Sequence, residues 1–245
     1  MILGTKEWAQ AKSNCILGCK NDCLYCYAKD TNVRFDKIKR EDWHIEHPNK
    51  NAKARKYDGK LMFPTSHDLH MDTIGLWGTH LDKLVNLGND ILLVSKAEWD
   101  AQKYIIDRYK DTPFASNIEF RYTIGTDDEE TRKMWEPGAP SMFERVKCLK
   151  YANACGYKTS VSMEPLLMKD PVPFINKIDV YVTGDIWIGI MNYLKESWFQ
   201  PHNRIWMSVQ QEINSKENIE KVYAATKNNP KVKYKDSIRD LLGLE

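Results

Sequence analysis

No apolar run in these 245 residues approaches a membrane span, and the opening stretch MILGTKEWAQAK has no apolar core of signal-peptide length. Those two gaps point to a soluble, cytoplasmic protein with no membrane partner. Charge of one sign is also missing. Lys and Arg total 36 against 34 Asp and Glu, so the global balance does not call for a nucleic acid or an anionic surface as partner. There is no internal repeat and no low-complexity segment, which excludes repeat arrays and long disordered linkers. The six cysteines are not spread as a disulfide framework would spread them. Four fall within residues 15–26, none lies between Cys26 and Cys148, and the last is Cys155. Crowded cysteines in a cytosolic chain indicate a metal, a cluster or redox chemistry.

What is present is enough for one sizeable α/β domain: 42% of residues are hydrophobic. Apolar, β-prone runs alternate with amphipathic stretches. Strands are expected at Cys15–Leu17, Leu61–Thr65, Ile91–Ser95, Ile118–Ile124, Thr159–Met163 and Ile186–Ile190. Helices are expected at Tyr25–Phe35, Leu76–Leu87, Trp99–Tyr109, Asp128–Trp135, Ser141–Ala154 and Pro171–Asn176. Ser141-Met-Phe-Glu144 reads as a capping box, and Cys155-Gly156 as a helix stop. This alternation implies a parallel sheet with right-handed crossovers, either a partial (β/α)6 barrel or an open α/β sheet. Residues 29–60 carry ten Lys or Arg and little periodicity, and read as helix continuation plus an exposed polar insertion. The main domain is expected over 1–212, with a C-terminal helical extension over 213–245.

The central text runs from Asn14 to Tyr27 and contains Cys19, Cys23 and Cys26 in the spacing C-x3-C-x2-C. Three thiolates on a loop leading into a helix can hold three irons of a [4Fe–4S] cube and leave the fourth iron open. Such an open position suits a catalytic cluster. A zinc site is the competing reading, with Cys15 as fourth ligand, although zinc more often takes two separated pairs than four ligands within twelve residues. Cys15 otherwise reads as a buried strand residue, and Cys148 and Cys155 as helix residues of the core.

On these residues the chain resembles the radical S-adenosylmethionine (SAM) superfamily. The resemblance narrows at Gly18 to Ala28, and again at Glu136-Pro-Gly-Ala-Pro-Ser141 followed by Glu144-Arg145. Both stretches are similar to the spore photoproduct lyase group, and together with the spacing of the strands the similarity covers roughly residues 13–190. The resemblance implies a radical SAM barrel, a [4Fe–4S] cluster on Cys19, Cys23 and Cys26, and SAM chelated by the open iron. It also implies reductive cleavage of SAM to a 5′-deoxyadenosyl radical that takes hydrogen from a substrate. Tyr25, before the last cysteine, would lie near the adenine. An electron donor such as a flavodoxin or ferredoxin is an implied partner.

In such a barrel the cofactor groups lie at the C-terminal ends of strands. Ser66, in Pro64-Thr65-Ser66-His67, matches a family serine that helps to hold SAM. Lys96, in Ser95-Lys96, matches a lysine that meets the SAM carboxylate. Thr123, in Arg121-Tyr122-Thr123-Ile124, matches a further SAM contact. An ammonium and two hydroxyls suit a carboxylate chemically. Each also has an ordinary role, since hydroxyls at strand ends form turns and caps, and a lone lysine is usually solvated. Glu164 points to the same mouth and is an expected ribose contact, with Asn192 in a similar position. His67 and His70 are polar candidates for substrate.

The resemblance fails at Pro64, where spore photoproduct lyase carries its hydrogen-donating cysteine. The sequence therefore does not support that repair reaction. Three classes of function remain open. One is a radical SAM enzyme on a small molecule, nucleotide or peptide. The second acts on nucleic acid, with Arg34, Lys53, Arg55 and Lys56 as its footprint. The third is a non-catalytic metal or electron-transfer protein.

Overall fold

The structure is a computed structural model and describes residues 4–198 and 204–244. In chain order the elements are β1 (Ala11–Lys12), β2 (Ile16–Leu17), α1 (Tyr27–Arg34), β3 (His47–Pro48), β4 (Lys60–Phe63), α2 (Ile74–Asn86), β5 (Asp90–Ser95) and α3 (Trp99–Tyr109). They continue with β6 (Ile118–Thr123), α4 (Glu129–Trp135), α5 (Met142–Ala154), β7 (Lys158–Met163), α6 (Val172–Ile178) and β8 (Ile186–Ile188). The last are α7 (Arg204–Ile213), α8 (Lys216–Thr226), β9 (Val232–Tyr234) and α9 (Asp236–Leu242). Seven strands make one parallel sheet in the order β1-β4-β5-β6-β7-β8-β9, which does not close on itself. No helix among the described residues is long and apolar enough to cross a membrane.

Period-two alternation sorts the strand residues. On β6, Ile118, Phe120 and Tyr122 are buried in the apolar core, and Phe120 meets Tyr157 edge-on. Glu119, Arg121 and Thr123 alternate with them on the inner face. There Glu119 pairs with Lys60 of β4 and with Lys158 of β7, and the Arg121 guanidinium lies 4.8 Å from the Trp8 ring. The core therefore sits between sheet and helices, while the inner face is polar. Across the opening between β1 and β9, Lys235 ion-pairs with Glu7 at 3.3 Å and donates to the Gly4 carbonyl at 2.8 Å.

The structure corrects three expectations. The first strand of the main sheet is Ala11–Lys12, paired with Leu61–Met62, and not Cys15–Leu17. Ile16–Leu17 instead pairs antiparallel with His47–Pro48. The insertion 29–60 is therefore tied down rather than free, and its Trp43 is only 1% exposed. Finally, the sheet has seven strands where six were expected. The expected helical extension 213–245 supplies the seventh, β9, beside helices α8 and α9. On α5 the Ser141 hydroxyl caps the backbone N–H of Glu144 as expected, but the Glu144 carboxylate accepts from the N–H of Trp99 at 2.7 Å instead of folding back.

Candidate functional site

The loop between β1 and α1 carries Cys19, Cys23 and Cys26, and it is held from two sides. On one side, Gly18 has φ +96, and a Cβ there would stand 2.1 Å from the carbonyl oxygen of Ile45, so only glycine fits. The N–H of Cys19 donates to the Trp43 carbonyl at 2.8 Å. On the other side, the segment after α4 docks on the loop through its backbone. Leu24 donates to the Trp135 carbonyl at 2.9 Å, and Gly138 donates to the Asn21 carbonyl at 3.1 Å. A Cβ on Gly138 would lie 2.2 Å from the Lys20 carbonyl oxygen. Cys26 is the N-cap of α1, its Sγ accepting from the N–H of Lys29 at 3.4 Å.

This loop sits at the C-terminal ends of the central strands. The side chain of Asn14 bonds Thr65 and Ser66 just after β4, accepting from their N–H groups at 2.7 and 2.9 Å. Asn21 donates at 2.8 Å to Asp68, whose carboxylate also accepts from the N–H of Lys96 at 2.8 Å and the hydroxyl of Ser95 at 2.5 Å. Phe63 pairs with Leu93 and Ser95 with Tyr122; Ser66 lies in the turn after β4, Lys96 directly follows β5 and Thr123 ends β6. Ser66 and Thr123 are engaged through their backbones, the Ser66 N–H donating to Asn14 and the Thr123 carbonyl accepting from Arg145.

Lys96 reaches the cysteines. Its ammonium lies 5.6 Å from the Tyr25 ring centroid and 3.9 Å from a carboxylate oxygen of Glu136. Burial works against its charge, but Cys23 and Glu136 outweigh burial and raise its pKa. Glu136, 1% exposed, is the hub of this region. It accepts from the Tyr25 hydroxyl and from Arg145, which is itself fully buried. Burial raises the carboxyl pKa of Glu136, yet Arg145 and Lys96 hold it below the usual range.

The three thiols form no disulfide. Burial pushes the Cys23 thiol up to about 12, with Lys96 opposing. Burial and then the Asp68 charge raise Cys19, and burial raises Cys26 against the hydrogen bond from Lys29. With burial raising each, the three hold their protons as free thiols; three soft sulfur donors on one loop, with the Lys96 ammonium near Tyr25, are still the donor set that an iron–sulfur cube takes as thiolates. The residues present therefore fit the [4Fe–4S] group that the spacing suggests.

Solved structures share this fold. A spore photoproduct lyase variant is 15% identical over 96% of this chain and 78% of its own, with a TM-score of 0.56. Another variant, with dinucleoside spore photoproduct, is 14% identical over 96% of this chain and 78% of its own, with a TM-score of 0.57. Streptococcus suis SuiB, bound to S-adenosylmethionine, is 11% identical over 92% of this chain and 47% of its own, with a TM-score of 0.53. The chain shares its fold with spore photoproduct lyase and with SuiB. No protein-family model and no curated protein matches the sequence.

Glu164, Asn192 and His67 were also expected at the site. Glu164 lies beyond the end of β7 and is engaged by Lys235 at 3.6 Å. Burial raises its pKa, against the pull of Lys235. The Tyr27 hydroxyl donates to the Thr65 carbonyl just after β4. Asn192 is exposed. The His67 ring nitrogens meet the Cys15 N–H at 3.3 Å and the Asp68 carbonyl at 2.9 Å, and burial lowers its pKa to about 4. His67 is thus an anchor of the loop and not a substrate contact. The residues that sequence reasoning missed are Asn14, Asp68 and Tyr27. Asn14 and Tyr27 stood at the two ends of the cysteine text and Asp68 just past the Ser66 motif, but nothing local marked them as bridges.

Proposed function

We propose that this chain is a radical SAM enzyme acting on a substrate still to be identified, among small molecules, nucleotides and peptides. The observation that carries this reading is the free three-cysteine loop at the strand ends with the Lys96 ammonium fixed against it. Cys19, Cys23 and Cys26 would hold the cluster, which when bound supplies an electron for cleavage of the SAM sulfonium. Lys96 would receive the SAM carboxylate, with the Ser66 and Thr123 hydroxyls as further polar contacts and Tyr25 beside the adenine. Glu164 would serve the ribose hydroxyls while Lys235 holds it in place. The electron would come from a small reductant protein of the flavodoxin or ferredoxin kind.

The test is anaerobic reconstitution with iron and sulfide, followed by reduction in the presence of SAM and assay for 5′-deoxyadenosine. Formation of 5′-deoxyadenosine and methionine supports the reading, and a reduced, iron-loaded protein that leaves SAM intact defeats it. Lys96→Ala should weaken SAM binding roughly ten- to a hundred-fold, because a lost charge-assisted contact costs about 1.5–3 kcal/mol. Equal affinity in the variant, read from the SAM-dependent change in the cluster's EPR spectrum, would remove Lys96 from the site.

Repair of spore photoproduct is not expected. Pro64, buried at the end of β4, occupies the place of the donor cysteine in that enzyme group and has no S–H to give. Incubation with a dinucleoside spore photoproduct should return the substrate unchanged while 5′-deoxyadenosine still accumulates. Conversion to paired thymines above background would show a donor elsewhere in the chain.

A further inference from the structure

Cys19 has polar company of its own. Its Sγ, a carboxylate oxygen of Glu46 and a ring nitrogen of His70 all lie within 4.8 Å of one another. The side chains of His70 and Glu46 are 4% and 3% exposed. Glu46 is committed on both oxygens, accepting from the N–H of Lys20 at 3.1 Å and from the Thr73 hydroxyl at 2.7 Å. His70 is fixed at two points. Its carbonyl accepts from the Trp77 indole at 2.8 Å, and its Nδ1 faces Glu98 at 4.0 Å.

Nε2 of His70 has no hydrogen-bond partner, and its distance to Glu46, 3.7 Å, is beyond hydrogen-bond reach. A buried ring nitrogen left unpaired carries a desolvation penalty. The ring stands within 4.8 Å of a cysteine that the proposed cluster would convert from thiol to thiolate. A thiol is a weak acceptor; a thiolate is a strong one. The orphaned nitrogen would therefore gain its partner on loading.

We propose that Nε2–H of His70 donates a hydrogen bond to the Cys19 thiolate of the loaded protein and raises the reduction potential of the cluster. The inference rests on the cluster reading above. Its physics is charge. The reduced cluster carries one more negative charge than the oxidised one, so a donor on a ligand sulfur stabilises the reduced state more. Glu46 and Asp68 act on the same ligand in the opposite sense. His70 is thus a tuning residue that offsets two carboxylates fixed by the loop's own anchoring.

The experiment compares reconstituted wild type, His70→Leu and His70→Gln by iron content and by EPR-monitored redox titration. All three should load the same iron. His70→Leu should titrate lower, by about 59 mV for each tenfold loss in the one-electron reduction equilibrium. His70→Gln, which keeps a donor of similar reach, should recover part of the shift. An unchanged potential in fully loaded His70→Leu overturns the inference and leaves the cluster reading standing. Stoichiometric zinc in place of iron in the wild type overturns both. Should His70→Leu fail to fold, histidine labelled with nitrogen-15 gives the answer in the wild type. A weak nitrogen coupling to the reduced cluster, lost in His70→Gln, is expected, and a spectrum with no histidine coupling overturns the inference.

Discussion

Alanine at Cys19, Cys23 or Cys26 abolishes iron uptake, whereas alanine at Cys15 leaves it intact: that is the expected result of anaerobic reconstitution of the four variants. Wild type should be brown and take up about four irons per chain, as a three-cysteine cube requires. The structure separates the four thiols. Cys15 lies in the apolar core, 4% exposed, with its Sγ 3.8 Å from His67, which is already engaged by backbone. The other three share the loop pinned by Trp43 and Trp135, and burial raises each, with the Asp68 charge adding at Cys19 and the Glu136 charge at Cys23. Removing one leaves two ligands, too few to hold the cube. Loss of iron in Cys15→Ala alone would reassign the ligand set. Stoichiometric zinc without iron would remove the cluster altogether.

Much of this was legible in the sequence, and for a definite reason. A three-cysteine spacing is local: it needs no tertiary contact to be read. Strands β4 to β8 were legible too, because their apolar residues recur along a helix–strand alternation that tertiary packing does not override. What stayed hidden depends on partners distant in sequence. Ile16–Leu17 has strand-like residues, but only the position of His47–Pro48 shows that it leaves the main sheet. Val232–Tyr234 is three residues among lysines, too short to show a period, and becomes a strand because β8 offers it an edge. The insertion 29–60 looked solvated because its charge hides Trp43 and Glu46, two of the residues that reach the cysteine loop.

The second motif shows the same limit, and its residues predict the largest stability effect. Glu136 and Arg145 were readable as a likeness to the spore photoproduct lyase group but gave no role. In the structure Arg145 ties three elements together. It donates to the Thr123 carbonyl at the end of β6 at 2.9 Å, to the Pro140 carbonyl at 3.1 Å, and to Glu136, which in turn accepts from Tyr25 on the cysteine loop. Neither Arg145 nor Glu136 is more than 1% exposed. Removing one partner of such a pair leaves a charge buried and under-compensated, at a cost of about 3–5 kcal/mol. Lys96, 3.9 Å from Glu136, compensates part of it, which places Arg145→Met toward the lower end. Chemical denaturation should show that loss as a lower midpoint with an unchanged slope. The double variant Arg145→Met with Glu136→Met should recover much of the stability, because no acidic charge is then left unpaired. It should not recover full cluster loading, because Tyr25 has lost its acceptor and the loop one of its side-chain tethers. A loss under about 1 kcal/mol in Arg145→Met would show that the pair does not stabilise the fold. Full iron loading in the double variant would show that the remaining contacts, through Asn21, Trp43, Trp135 and Gly138, are enough to hold the cysteines in place.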